Sequence, residues 1–141
     1  MGYQLQIKTS FVSPVTLKVF TENGYLPIFI IRNISNSELI GKYSGTAVHF
    51  KDLAPSTELF RAKRDGVIDL TEFSKRYIIE MSSVNFVDVI NKLNYLAELS
   101  KARGIILMGY GSDDRVCHRS ILSNLINSME ILNSRITEII L

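Results

Sequence analysis

Apolar and polar positions alternate at the start of the chain. Tyr3, Leu5 and Ile7 interleave with Gln4, Gln6 and Lys8, which predicts a strand over residues 3–9 with Thr9-Ser10 at its C-terminal end. Ser13-Pro14 then reads as a helix start, because serine caps and proline at the first helical position loses no bond. That helix is expected to stop at Asn23-Gly24. Residues 25–31 are nearly all apolar and predict a second strand, so the first strand, helix and second strand make a βαβ unit with a right-handed crossover. From Arg32 to Leu53 no period is sustained, and the segment reads as a long loop. Ser56 caps a helix carrying Leu59, Phe60 and Ala62 and ending near Arg64-Asp65-Gly66. A short helix from about Thr71 presents Phe73, Tyr77 and Ile78 on one face. The most regular helix runs from a capping Asn85, with Phe86, Val89, Ile90, Leu93, Leu96 and Ala97 at helical spacing. Lys101-Ala102-Arg103-Gly104 is expected to end it, with glycine just beyond its last turn.

The stretch from Gly104 to Leu125 organises the rest. A continuous apolar run, Ile105 to Met108, predicts a strand over residues 104–110 buried on both faces. A polar loop follows, and Cys117-His118-Arg119 opens a helix whose apolar face begins with Ile121, Leu122 and Leu125. The β-branched tail predicts a fourth strand near 135–140. Alternating strands and helices specify a single α/β domain over residues 1–141, three-layered, with a mostly parallel sheet and Rossmann-like βαβ units.

Composition narrows the function classes. A net charge of +2 gives no electrostatic case for bulk nucleic-acid or anionic-membrane binding. No apolar run approaches a membrane span, and the start lacks the basic and apolar regions of a signal peptide. One cysteine allows no internal disulfide and fits a cytoplasmic, reducing setting. One cysteine and two histidines, His49 and His118, fall short of the usual zinc ligand sets unless carboxylates join, and no cofactor is expected.

A buried strand feeding a loop and a helix start is where open α/β sheets take ligands, and the first helical turn favours an anion. Cys117 at that helix start is either a nucleophile with a lowered pKa or a small buried hydrophobe. Ser123 stands six positions past it, so the Cys-x5-Arg loop that cradles oxyanions is absent. His118 is either a general acid or base, or a capping or core histidine. Arg119 either grips a phosphate or carboxylate or pairs on the surface with Asp113 or Asp114. Tyr110, between Gly109 and Gly111, either stacks on a base or packs. Arg32 follows the second strand, so in a parallel sheet it can face the same crevice as Arg119. Thr9, Ser10, Arg32, Tyr110 and Arg119 are therefore the expected ligand-binding set, and Cys117 and His118 the catalytic candidates.

Several short stretches recur here in a particular order. Lys8-Thr9-Ser10 follows the first strand and Ile31-Arg32-Asn33 the second. Leu53-Ala54-Pro55-Ser56, Glu72-Phe73 and Arg76-Tyr77 come next, then Ile106-Leu107-Met108-Gly109-Tyr110 leading to Cys117-His118-Arg119. Over nearly its whole length this set resembles the domain of unknown function 488 family of small bacterial and phage proteins. The resemblance implies a single α/β domain in an intracellular protein, and it brings no established reaction. The chain departs from the pattern where family members commonly read Cys-Tyr-Glu or Cys-Trp-Glu: here Gly109-Tyr110-Gly111 lacks both the cysteine and the glutamate. Ile31 likewise stands where a serine usually precedes the arginine.

Three functions follow as expectations. The first is binding or processing of a phosphate-bearing, nucleotide-like small molecule at the C-terminal edge of the sheet. The second is a hydrolase or transferase using Cys117 or His118. The third is a non-enzymatic phage or bacterial partner protein that sequesters a host molecule or blocks a host protein. Loss of the glutamate favours the first and third.

Overall fold

Chain direction is the same in every strand of the sheet. The computed structural model describes residues 5–11, 13–30, 48–109, 118–132 and 134–139. Among these, β1 (Ile7–Phe11), β2 (Tyr25–Phe29), β3 (Val48–His49), β4 (Gly104–Gly109) and β5 (Thr137–Glu138) form one parallel sheet in the order β3-β2-β4-β1-β5. Ile105 to Met108 thus lie in the central strand, and all four are fully buried. Their continuous apolar run suits a strand covered on both faces. Pro27 is tolerated in β2 because it lies on the β3 side of the ladder, where the described pairing begins only at Ile28.

Side-chain alternation splits the core in two. Tyr25, Phe29, Ile106 and Met108 face α1 (Pro14–Glu22), whose Leu17 and Phe20 pack on them. Ile7, Leu26, Ile28, Ile105 and Leu107 face the opposite layer. That layer holds α2 (Thr57–Arg64), α3 (Leu70–Met81), α4 (Phe86–Ser100) and α5 (His118–Ser128). This gives a three-layer, Rossmann-like α/β arrangement. The β1-to-β2 connection runs one way along the sheet and the connections before and after β4 run the other, so right-handed crossovers put their helices on opposite faces. β2 and β4 are neighbours, and the strands that follow them in sequence lie on opposite sides of the pair, so the strand order reverses direction there.

Local signals explain most helix ends. Ser13 and Thr16 form a capping box with Pro14 at the start of α1. Ser56, Asp69 and Asn85 cap α2, α3 and α4 through the backbone N–H groups of Leu59, Glu72 and Asp88.

Several expectations need correction. β1 runs on to Phe11, so Thr9 and Ser10 lie inside the strand rather than at its end. The stretch from 32 to 53 holds a strand, β3, and a 3-10 turn (Lys51–Leu53); its residues up to 47 lie outside the described set. A two-residue strand has too few side chains to show a period. α3 begins at Leu70 and is three turns long; Phe73, Tyr77 and Met81 form its buried stripe, and Ile78 is exposed. The residue closing α4 in the left-handed region is Lys101 (φ 57°), and Gly104 belongs to β4. A Cβ on Gly104 would stand 2.8 Å from Tyr25 Cε1 and 2.9 Å from the Gln6 carbonyl, so close packing, not a helix stop, requires glycine there. The tail strand is confined to Thr137–Glu138 and pairs with β1.

Leu107 is fully buried in the central strand. Leu107→Ala is expected to cost about 2–5 kcal/mol, the range for emptying a packed core site, read as a lower urea midpoint at unchanged slope.

Candidate functional site

The first turn of α5 is fastened to the ends of β2 and β4. His118 is buried, and its Nε2 stands 2.8 Å from the Ile30 carbonyl, which accepts from the ring N–H. The ring meets Tyr77 edge-on with centroids 5.8 Å apart. Tyr77 is itself fixed, because its hydroxyl donates to the Leu53 carbonyl at 2.7 Å. One face of the imidazole lies against the backbone of β4: a Cβ on Gly109 would stand 2.9 Å from His118 Cε1 and 3.1 Å from Nε2. Glycine at 109 is what lets the ring reach Ile30.

Burial pushes the His118 imidazole down to about 4. The bond to Ile30 opposes this, and the positive charges of Arg119 and Lys63 add to it. The ring is therefore neutral at pH 7, which matches a single N–H committed to a carbonyl.

Arg119 is 1% exposed, the largest of the fully buried side chains. Its Nη1 donates to the Gly109 carbonyl at 3.4 Å, and its own carbonyl accepts from Ser123 Oγ at 2.7 Å. A surface pair with Asp113 or Asp114 was one sequence expectation; burial removes the surface part of it, and both aspartates lie outside the described residues.

The other expected site residues are distributed as follows. Thr9 is buried opposite Leu107, on the side of the sheet that Ile7 faces. Ser10 points the other way, and its hydroxyl donates to the Ile139 carbonyl at 2.8 Å, a tie to the residue just past β5. Arg32, Tyr110 and Cys117 lie outside the described residues. Thus His118 and Arg119 share one edge with Gly109 and Ile30, and Ser10 serves the sheet. The sequence does not single out Lys63, and it gives Tyr77 no role at the site. Tyr77 read as core, and only its phenol, which needs a partner when buried, hinted at more.

Among the described residues no group of three or more His, Cys, Asp or Glu is placed to hold a metal ion. Nor is any helix among them long and apolar enough to cross a membrane. A separate groove of about 610 Å³ lies between α2, α3 and α4, lined by Asp52, Ser56, Glu80, Asp88 and Lys92 among others. It includes neither His118 nor Arg119.

Two outcomes follow. Between about pH 6.5 and 4 the unfolded chain binds a proton at His118 that the folded chain excludes. The stabilisation is fully present above about pH 6.5 and is lost as pH falls towards 4. The gap corresponds to about 3 kcal/mol. Urea titrations from pH 7 to 4.5 should show this loss, and His118→Gln, which keeps a side-chain N–H, should show a clearly smaller one. Gly109→Ala should cost about 1–3 kcal/mol, because the new methyl meets a ring held by Ile30 and Tyr77. The imidazole resonances in NMR should shift with it.

Comparisons with known proteins bear on this edge. A family model described as the active DUF488-N3 subclade matches residues 31–130, more than half of the chain. The match takes in β3, α2, α3, α4, β4 and the whole of α5. Comparison with curated proteins and with solved structures returns no match. With the Gly109 and His118-Arg119 edge inside the matched span, the chain belongs to the DUF488 family.

Proposed function

We propose that this protein binds a phosphate-bearing, nucleotide-like ligand at the C-terminal edge of the sheet, in the crevice between the ends of β2 and β4 and the first turn of α5. The observation that carries the reading is the burial of Arg119 at that edge. A guanidinium stays charged at every relevant pH, and removing it from water is costly. In the first turn of α5 it also opposes the helix dipole. Its Nη1 donates to the Gly109 carbonyl at 3.4 Å, which holds the guanidinium at the end of β4. The planar fork of a guanidinium suits a phosphate held by two oxygens.

Sequence position supports the rest of the ligand set. Arg32 stands two residues past Ile30, and Tyr110 directly follows Gly109. They would add a second guanidinium and an aromatic face for a base. Ser10 drops out of this set, because its hydroxyl is committed to Ile139.

An enzymatic role is the second reading, favoured by the word active in the family description. Cys117 would then be the nucleophile of a hydrolase or transferase. His118 is read as a positioning residue, because its ring is buried and its Nε2 N–H is committed to the Ile30 carbonyl.

The test is a titration with adenosine monophosphate at low and high salt. Arg119→Met keeps the bulk of the buried side chain and removes its charge. It should lose about 10–100-fold in affinity, the range for a charged hydrogen bond, with most of the salt dependence. Cys117→Ser should bind as the wild type does. Equal affinity in the wild type and Arg119→Met would end the ligand reading, and a Cys117→Ser protein that melts normally but loses a phosphate-releasing activity would put the enzymatic reading first.

A further inference from the structure

The groove between α2, α3 and α4 lies apart from His118 and Arg119 and has a chemistry of its own. Its volume of about 610 Å³ is in the range of small-molecule sites. Ala54, Met81 and Val89 line it and are buried, so the groove has an apolar floor that belongs to the core. Half-buried Val84 extends that floor. Three carboxylates, Asp52, Glu80 and Asp88, line it against one ammonium, Lys92. The groove is thus a negative spot on a chain whose net charge is +2.

These carboxylates are not equivalent. Glu80 is committed, because both its oxygens accept from Ser56, the cap of α2. Asp52 and Asp88 are exposed, and among the described residues neither is in an ion pair. Asp52, Glu80 and Asp88 do not form a group placed to hold one metal ion. A small divalent cation needs several oxygens around one centre, so separated carboxylates suit it poorly. They suit a cation whose charges are held apart by methylenes. Its chain covers the apolar floor while each end meets a carboxylate.

We infer that this groove takes a linear aliphatic diamine or polyamine, with its chain over Met81 and Val89 and its ammonium groups at Asp52 and Asp88. The inference is independent of the phosphate reading, since the groove includes no residue of that site. The plainer role of the acids is local. Asp88 stands in the first turn of α4, where the helix dipole favours a carboxylate. That role needs no second ammonium, which separates the two by experiment.

The probes are putrescine, n-butylamine and magnesium ion. n-Butylamine has the carbon chain of putrescine and one ammonium; magnesium has two charges and no chain. Each is titrated at one ionic strength into the isotope-labelled wild type, the double variant Asp52→Asn/Asp88→Asn, and Lys92→Met, and followed by amide NMR. Putrescine should shift the amides of Ala54, Val84 and Val89. It should bind the wild type about two- to fivefold more tightly than n-butylamine, the range for one charge pair open to solvent. The double variant should lose that preference, and Lys92→Met should bind putrescine more tightly because a like charge is gone. No putrescine shift at these amides, a wild type without preference for putrescine over n-butylamine, or a preference that survives in the double variant would overturn the inference. So would magnesium binding at the same amides as tightly as putrescine, or weaker putrescine binding in Lys92→Met.

Discussion

The bond from His118 Nε2 to the Ile30 carbonyl joins positions 88 apart in sequence and holds the C-terminal edge of the sheet in shape. It requires three things at once. The ring must carry a proton on Nε2, position 109 must have no side chain, and the ring must be kept from rotating away. Burial in an apolar surround favours the neutral ring, glycine supplies the space, and the edge-on contact with Tyr77 supplies the restraint. Tyr77 extends the tie to a fourth segment through the Leu53 carbonyl. The end of β2, the end of β4, the start of α5 and the turn before α2 therefore meet around one imidazole.

A buried ring in this role is a rigid wedge, and the charges are placed around it. Arg119 comes next in the chain and is fully buried, so the wedge positions a permanent cation at the sheet edge. Such a residue is a poor choice for stability alone, since an apolar side chain of similar size would avoid the desolvation cost. The hairpin of α2 and α3 is anchored at its open end, where both Glu80 carboxylate oxygens accept from Ser56, one from its N–H at 2.8 Å and one from its hydroxyl at 2.5 Å. At the other end Lys63 covers Phe73. Phe73 and Tyr77 are thereby held in the core, with Tyr77 against His118 at the start of α5.

Where the family resemblance leads one to expect a cysteine, Gly109 leaves room for the ring at this edge. A side chain at 109 and a histidine ring seated on the β4 backbone compete for the same volume. The chain has the ring, and its first helical turn is drawn against the strand. The departure at 109 is thus coupled to the seating of residue 118, which is nine positions later in sequence but adjacent in space.

Much of this fold was legible from pattern. A strand such as Ile105 to Met108 announces double-sided burial because every position is apolar, and Ser13-Pro14, Ser56 and Asn85 announce helix starts because capping is local chemistry. Where the signal was short or non-local, the reading stopped. The two residues of β3 carry no period, and Gly104 looks like a helix stop until Tyr25 and Gln6 are seen around it. In the candidate site the sequence by itself determined which chemical groups stand near the ends of parallel strands: His118, Arg119, Gly109 and, two residues past Ile30, Arg32. Tertiary structure alone decided that His118 is a neutral wedge, that Arg119 is buried, that the Ser10 hydroxyl is committed to Ile139 and that Lys63 belongs to the same electrostatic neighbourhood. The reason is that protonation, burial and partner choice depend on what surrounds a group in space, and here those surroundings come from segments brought together only by the sheet.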